Sequence, residues 1–180
     1  MTGWLTRFAD RAVATDRLSG QPRHLTLLAA GLFGEVGGIL AEQKKRSREG
    51  YAHARYRERL SEEIGDALWY LARLTSVAAP DIFSQIALAP ATKEEQNIEA
   101  LLPISLAAAA CRILEGVDQR TSSDLHSTLL GAWSEILTFA SVAGIDAERA
   151  STENLKKTGA RWPAVRAYEP LFDGNLSPEE

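Results

Sequence analysis

The sequence predicts an all-α protein. Apolar residues recur at helical intervals over most of the chain, strictly alternating stretches rich in Val, Ile and Thr are missing, and Gly, Pro and polar clusters punctuate the pattern at helix-length spacing. A chain of 180 residues with 45% hydrophobic and 24% charged residues suits a single folded domain with its own core and excludes wholesale disorder.

A first helix is expected from about Trp4 to Leu18, with Leu5, Phe8, Ala12 and Val13 inward, ended by the turn signal Ser19-Gly20-Gln21-Pro22. A second starts near His24 and places Leu25, Leu28, Leu32, Val36, Ile39 and Leu40 on one side. It ends among Lys44, Lys45 and Arg46, cations that suit the negative end of the helix dipole. Residues 47–54 read as a polar connection. A third helix, about Tyr56 to Val77, buries Leu60, Ile64, Ala67, Leu68, Leu71 and Leu74 before Ala79-Pro80-Asp81 breaks it. Residues 91–97 read as a solvated connection. A fourth helix runs from about Ile98 to Val117, with Pro103 in its first turn or at a kink. Ser122, Ser123 or Asp124 caps a fifth, which turns Leu125, Leu129, Trp133, Ile136, Leu137 and Ala140 inward until Gly144. A shorter sixth spans about Asp146 to Gly159. Short connections imply antiparallel neighbours, so the expected architecture is a four-helix-bundle core with additional helices. It forms one domain over residues 1–162, followed by an extended tail over 163–180.

A formal net charge of -4 offers no broad basic field, so no nucleic-acid partner is expected. The start Met1-Thr2-Gly3-Trp4 lacks a basic stretch leading into an apolar signal core. No run approaches the roughly 18 apolar residues of a spanning helix, so no membrane partner is expected either. The single Cys111 lies in the mostly apolar run Leu106 to Leu114, cannot form an internal disulfide, and reads as a small core residue. A cytoplasmic location follows as the expectation.

The second helix holds an anomaly: Gly31, Gly34, Gly37 and Gly38 fall inside one apolar-periodic stretch. Each costs about 0.8–1 kcal/mol relative to Ala, so close contact with another helix, close approach of a ligand, or both must compensate. On the same helix Glu35, Gly38, Glu42 and Lys45 follow at steps of three and four, forming one polar ridge. The third helix carries Ser61-Glu62-Glu63-Ile64-Gly65-Asp66, where Glu63 and Asp66, three apart, project from one side and can address one cation. Glu62 points about 100° away. Glu-x-x-Asp on a helix is most often a solvated face, and the glycine-rich acidic helix just upstream is what raises the alternative.

These residues resemble a family. Gly31 to Gly38 with Glu42 and Lys45, then Glu62-Glu63-Ile64-Gly65-Asp66-Ala67-Leu68-Trp69-Tyr70-Leu71, look like the two acidic motifs, E-x-x-E and E-x-x-D, of the MazG-type all-α nucleoside triphosphate pyrophosphohydrolases. Asn154-Leu155-Lys156-Lys157 followed by Arg161-Trp162-Pro163 is similar to that family's later N-x-x-K segment and trailing basic residue. Where the family has the second Glu of E-x-x-E, this chain has Gly38. Glu42 lies seven residues from Glu35, about 10 Å along the axis, and is no simple replacement.

The resemblance implies that magnesium, or alternatively manganese, is held by Glu35, Glu63 and Asp66 against the phosphates of a nucleoside triphosphate. Cleavage between the α and β phosphates would give a monophosphate and pyrophosphate. Glu42 or Glu62 is then the carboxylate that orients the attacking water. Lys45, Lys157 and Arg161 are the cations that offset phosphate charge, and Asn154 hydrogen-bonds the sugar or a phosphate. A homodimer or higher homo-oligomer is also implied. Two other readings stay open: a nucleotide-binding or regulatory relative that no longer turns over, motivated by Gly38, and a helical interaction module in which the glycines serve packing alone. Trp69 and Trp133 read as core residues, while Trp4 and Trp162 are nearer the termini and available to stack on a base or cover a subunit seam.

Overall fold

The structure, a computed structural model, describes residues 3–86, 102–119 and 122–161. Among them are six α-helices and no strand: α1 (Gly3–Val13), α2 (His24–Glu49), α3 (Tyr56–Ala78), α4 (Leu102–Gln119), α5 (Ser122–Val142) and α6 (Ala147–Arg161). Short 3-10 turns occur at Gly50–Ala52 and Pro80–Ser84. The expected connection 91–97, the start of the fourth helix, Trp162 and the tail lie outside the described residues.

Helix α3 is the organising element. Its stripe Leu60, Ile64, Leu68, Leu71 and Leu74 recurs at steps of three and four, so one face is apolar over about four turns and is fully buried. Helix α2 answers with Leu28, Leu32, Val36 and Ile39, α4 with Leu106, Ala110 and Ile113, and α5 with Leu129, Trp133, Ile136 and Phe139. Helices α2, α3, α5 and α4 each pack against the next, closing a ring, while α1 and α6 lie against α3 outside it. Burying each large aliphatic side chain contributes about 1.5–3 kcal/mol, and this shared interior is the main stabilising term. The one buried indole donor at its centre is satisfied: Trp133 Nε1 donates to Thr75 Oγ1 at 3.0 Å.

The helix order and the inward stripes follow the sequence pattern, and the departures have local causes. Helix α1 stops at Val13 rather than Leu18 because Thr15 and Asp16 turn the chain. Thr15 Oγ1 donates back to the Ala12 carbonyl, and Asp16 Oδ1 accepts the backbone N–H groups of Leu18 and Ser19 at 2.8 and 3.2 Å. Val13 is exposed and Ala9 is buried in its place. Helix α2 runs on to Glu49 through the expected polar connection, and Gly50, at a φ of 56°, ends it. Cys111, expected in the core, is exposed on α4. The stretch His24–Ala52 holds an 18-residue window with a mean hydropathy of 1.5, long and apolar enough by composition for a membrane-crossing helix, where no such run was expected from the sequence. Its inner face is nevertheless taken up by packing against α3 and α4.

Candidate functional site

Glu35 stands midway along α2, and Glu63 and Asp66 stand one turn apart on α3. Because the apolar stripes of α2 and α3 face each other, their polar edges run side by side, and glycines set how closely α3 is approached by α2 and by α6. At Gly38 a built Cβ would collide with the Glu63 carboxylate, which therefore lies in the space the missing side chain leaves. A glutamate at 38 would have to displace Glu63 rather than simply complete the motif. At Gly65 a Cβ would stand 2.6 Å from the Ala150 carbonyl oxygen and 3.3 Å from Asn154 Cβ, so α6 is seated directly on the α3 backbone. Gly31 makes room in the same way for the Tyr70 ring, whereas Gly34 and Gly37 face open space. The glycine anomaly thus has a packing half, and its other half is exposed.

The docking of α6 delivers two more groups to Asp66. Asn154 Nδ2 donates to Asp66 Oδ1, and Lys157 Nζ donates to both Asp66 oxygens at 2.7 and 2.5 Å and to Glu62 Oε1 at 3.1 Å. Asn154 is only 6% exposed, and its Oδ1 is buried without a hydrogen-bond partner. Two clefts meet at Asp66, Asn154 and Lys157. One, of about 320 Å³, is completed by Glu35, Tyr70, Arg161 and the turn at Thr15 and Leu18. The other, of about 700 Å³, opens between α3 and the α5–α6 corner, with Glu62, Arg57 and Arg149 on its walls.

The electrostatics are those of crowded like charge. Burial, then the charges of Asp66 and Glu63, push the Glu35 carboxyl up to about 7, and a hydrogen bond with Glu63 works in the same direction against the opposing ammonium of Lys157. Burial and the neighbouring Asp66, Glu62 and Glu42 charges push Glu63 up as well. Burial by itself would lower Lys157, but its contacts with Asp66 and Glu62 outweigh that and hold the ammonium above the ordinary lysine range.

Of the residues singled out in the sequence, Glu35, Asp66, Asn154, Lys157 and Arg161 line the smaller cleft, Glu62 lines the larger, and Glu63 lies between the two helices. Glu42 and Lys45 line neither cleft. Glu42 is 3% exposed and accepts from Lys45 Nζ at 2.5 Å and His53 Nε2 at 2.6 Å. Burial would raise its pKa, but those two partners hold it below the usual range. His53, in the connection after α2, is largely enclosed by this contact and by a T-shaped ring contact with Tyr56. Sequence reasoning missed the contribution of the α1–α2 turn. Trp69 Nε1 donates to Thr15 Oγ1 at 2.8 Å, and Arg73 Nε donates to Asp16 Oδ2 at 2.9 Å, so the turn is bolted to α3 and forms one wall of the smaller cleft. The signal was present as Thr15-Asp16 followed by Ser19-Gly20, a side-chain-capped turn.

Among the described residues no three His, Cys, Asp or Glu side chains are gathered as a ready-made ligand set. The donor chemistry nevertheless fits a hard divalent cation. Glu35, Glu63 and Asp66 supply carboxylate oxygens, and their mutual repulsion, visible in the raised Glu35 pKa, is relieved by positive charge. Fold and site together define an all-α protein whose acidic cleft is backed by a lysine and a buried asparagine. No protein-family model, curated protein or solved structure matches the chain.

Proposed function

We propose that the protein is a magnesium-dependent nucleoside triphosphate pyrophosphohydrolase of the MazG-like type, cleaving its substrate to the monophosphate and pyrophosphate. The observation that carries this reading is that Glu35 of α2 and Asp66 of α3 line one cleft, with the Glu63 carboxylate seated beside them against Gly38, where α6 supplies Lys157 and Asn154. The ring of α2, α3, α5 and α4 supports the four-helix core of that type. Large apolar side chains left exposed on α2, Leu27 and Phe33, support a homo-oligomer in which a second copy packs there.

Glu35, Glu63 and Asp66 would hold the cation. A magnesium ion held by them would supply Lewis acidity, for polarising a phosphoryl oxygen and lowering the pKa of a bound water. Asn154 and Lys157 hold the Asp66 carboxylate in orientation, and Lys157 and Arg161 face the cleft as counter-charges for phosphate. Glu62, at the mouth of the larger cleft, is better placed than Glu42 to orient water, because Glu42 is occupied by Lys45 and His53.

Purified protein incubated with magnesium and a panel of ribo- and deoxynucleoside triphosphates is expected to release pyrophosphate, and Asp66→Ala to reduce the rate by at least about 10²-fold, roughly 3 kcal/mol of barrier. Silence across the panel rejects the enzyme. The Glu63 carboxylate filling the space at Gly38 favours one second reading, a nucleotide-binding relative without turnover. Calorimetry showing magnesium-dependent nucleotide binding without product supports it. No such binding leaves a helical interaction module.

A further inference from the structure

The ammonium of Lys157 contacts three carboxylate oxygens, both oxygens of Asp66 and one of Glu62. While those bonds stand, the ammonium is committed to the carboxylates rather than to a phosphate. The same ammonium is the counter-charge of the whole cluster, since it acts against the repulsion felt at both Glu35 and Glu63. Its backbone is held in place because α6 rests on Gly65, and the neighbouring Asn154 keeps a buried, unpartnered oxygen at the same cleft. A divalent cation ligated by Asp66 claims oxygens that the ammonium now holds, and two positive charges cannot share them at ligand distance without mutual repulsion.

We propose that Lys157 is a tethered cation that competes with the divalent ion for Asp66 and is released toward the phosphate when that ion binds. The inference rests on the divalent-ion reading above and adds to it a direction of coupling. Cation binding frees an anion-binding group, so metal and phosphate binding reinforce each other, and by linkage the reinforcement is reciprocal. Lys157 is here a positioning group whose state reports on the ion, and it need not touch the reacting atoms.

Calorimetric titration of the full chain with magnesium or manganese alone, without any nucleotide, tests the competition. Lys157→Met is expected to bind either ion at least about tenfold more tightly than the unmodified protein, the scale on which one neighbouring charge shifts a carboxylate equilibrium. Lys157→Arg, which keeps the charge, is expected to bind no more tightly. A second measurement needs no variant. Acetylation by acetic anhydride, followed by mass spectrometry, is expected to label Lys157 severalfold faster at saturating metal, while Lys156, paired at the surface with Glu153 at 2.8 Å, keeps its rate. Equal metal affinity of the Met variant and the unmodified protein overturns the competition, as does an unchanged or slowed Lys157 labelling rate in metal. If Lys157→Met fails to fold, the labelling decides. If no form binds either ion, Lys157→Met included, the divalent-ion reading itself falls, an outcome distinct from measurable but equal affinities.

Discussion

Asp16 and Glu35 are both carboxylates brought against α3, and burial penalises the charge of each, yet the two environments push them in opposite directions. Around Asp16 the Arg73 guanidinium, the His24 ring and the N–H groups of Leu18 and Ser19 all donate, and together they hold the carboxyl below its ordinary range despite its burial. Around Glu35 the charges of Asp66 and Glu63 add to burial and outweigh the opposing ammonium of Lys157, so burial is compounded by repulsion. The first arrangement is a fold satisfying a buried charge. The second gathers like charges that folding alone does not reward.

The contrast is broken most directly at its stable end. Asp16→Ala leaves the Arg73 side chain, 6% exposed, without its buried partner, and is expected to destabilise the protein by about 3–5 kcal/mol in denaturant unfolding. The folded pKa of Asp16 lies below its unfolded value of 3.8, so its contribution is present above that value and is lost as pH falls through the folded one. The acid limb of the stability profile should therefore flatten in the variant. A loss under about 1 kcal/mol would mean that Asp16 is no better supported than Glu35.

A second test sharpens the comparison through two glycines of the same sequence type. Gly65→Ala drives a methyl into the Ala150 carbonyl, a backbone atom that cannot swing aside, so α6 must shift. Overpacking of this kind costs about 1–3 kcal/mol, and moving Asn154 and Lys157 off Asp66 should weaken nucleotide binding as well. Gly34→Ala meets nothing within 4 Å and should stabilise by up to about 1 kcal/mol through helix propensity. Melting curves of the two variants that shift in the same direction would contradict the assignment of Gly65 to docking.

The sequence pattern was sufficient for what depends on periodicity. The stripe Leu60, Ile64, Leu68, Leu71 of α3 and the ridge of Glu35 and Gly38 on α2 are both legible from steps of three and four, and both lie where that spacing puts them. Contacts between distant segments were less legible. The pairing of Thr15 with Trp69 spans 54 residues and that of Asp16 with Arg73 spans 57, so nothing local announces them. Helical spacing placed Glu42 and Lys45 on the ridge with Glu35 but was silent on His53, whose return from the turn after α2 takes Glu42 out of the cleft. Gly34, Gly38 and Gly65 likewise look alike as letters and differ only in what stands opposite.

The smallest expected effect bears on the acidic end of the comparison. In the folded chain Glu35 holds its proton to about pH 7, against 4.5 for an unperturbed glutamate, so between those values the folded state binds more protons than the unfolded one. Stability must then fall as pH rises through that window, and the loss is complete above pH 7. Glu35→Gln removes the charge while keeping a group able to hydrogen-bond Glu63. Its melting temperature at pH 8 is expected to exceed that of the unmodified protein by about 2–4 °C, the gap closing toward pH 4.5. Magnesium should reverse the order, because a cation that binds only the folded state stabilises the chain that still has its ligand. A Gln variant that melts lower than the unmodified protein at pH 8 without metal would place Glu35 with Asp16, as a charge the fold already satisfies.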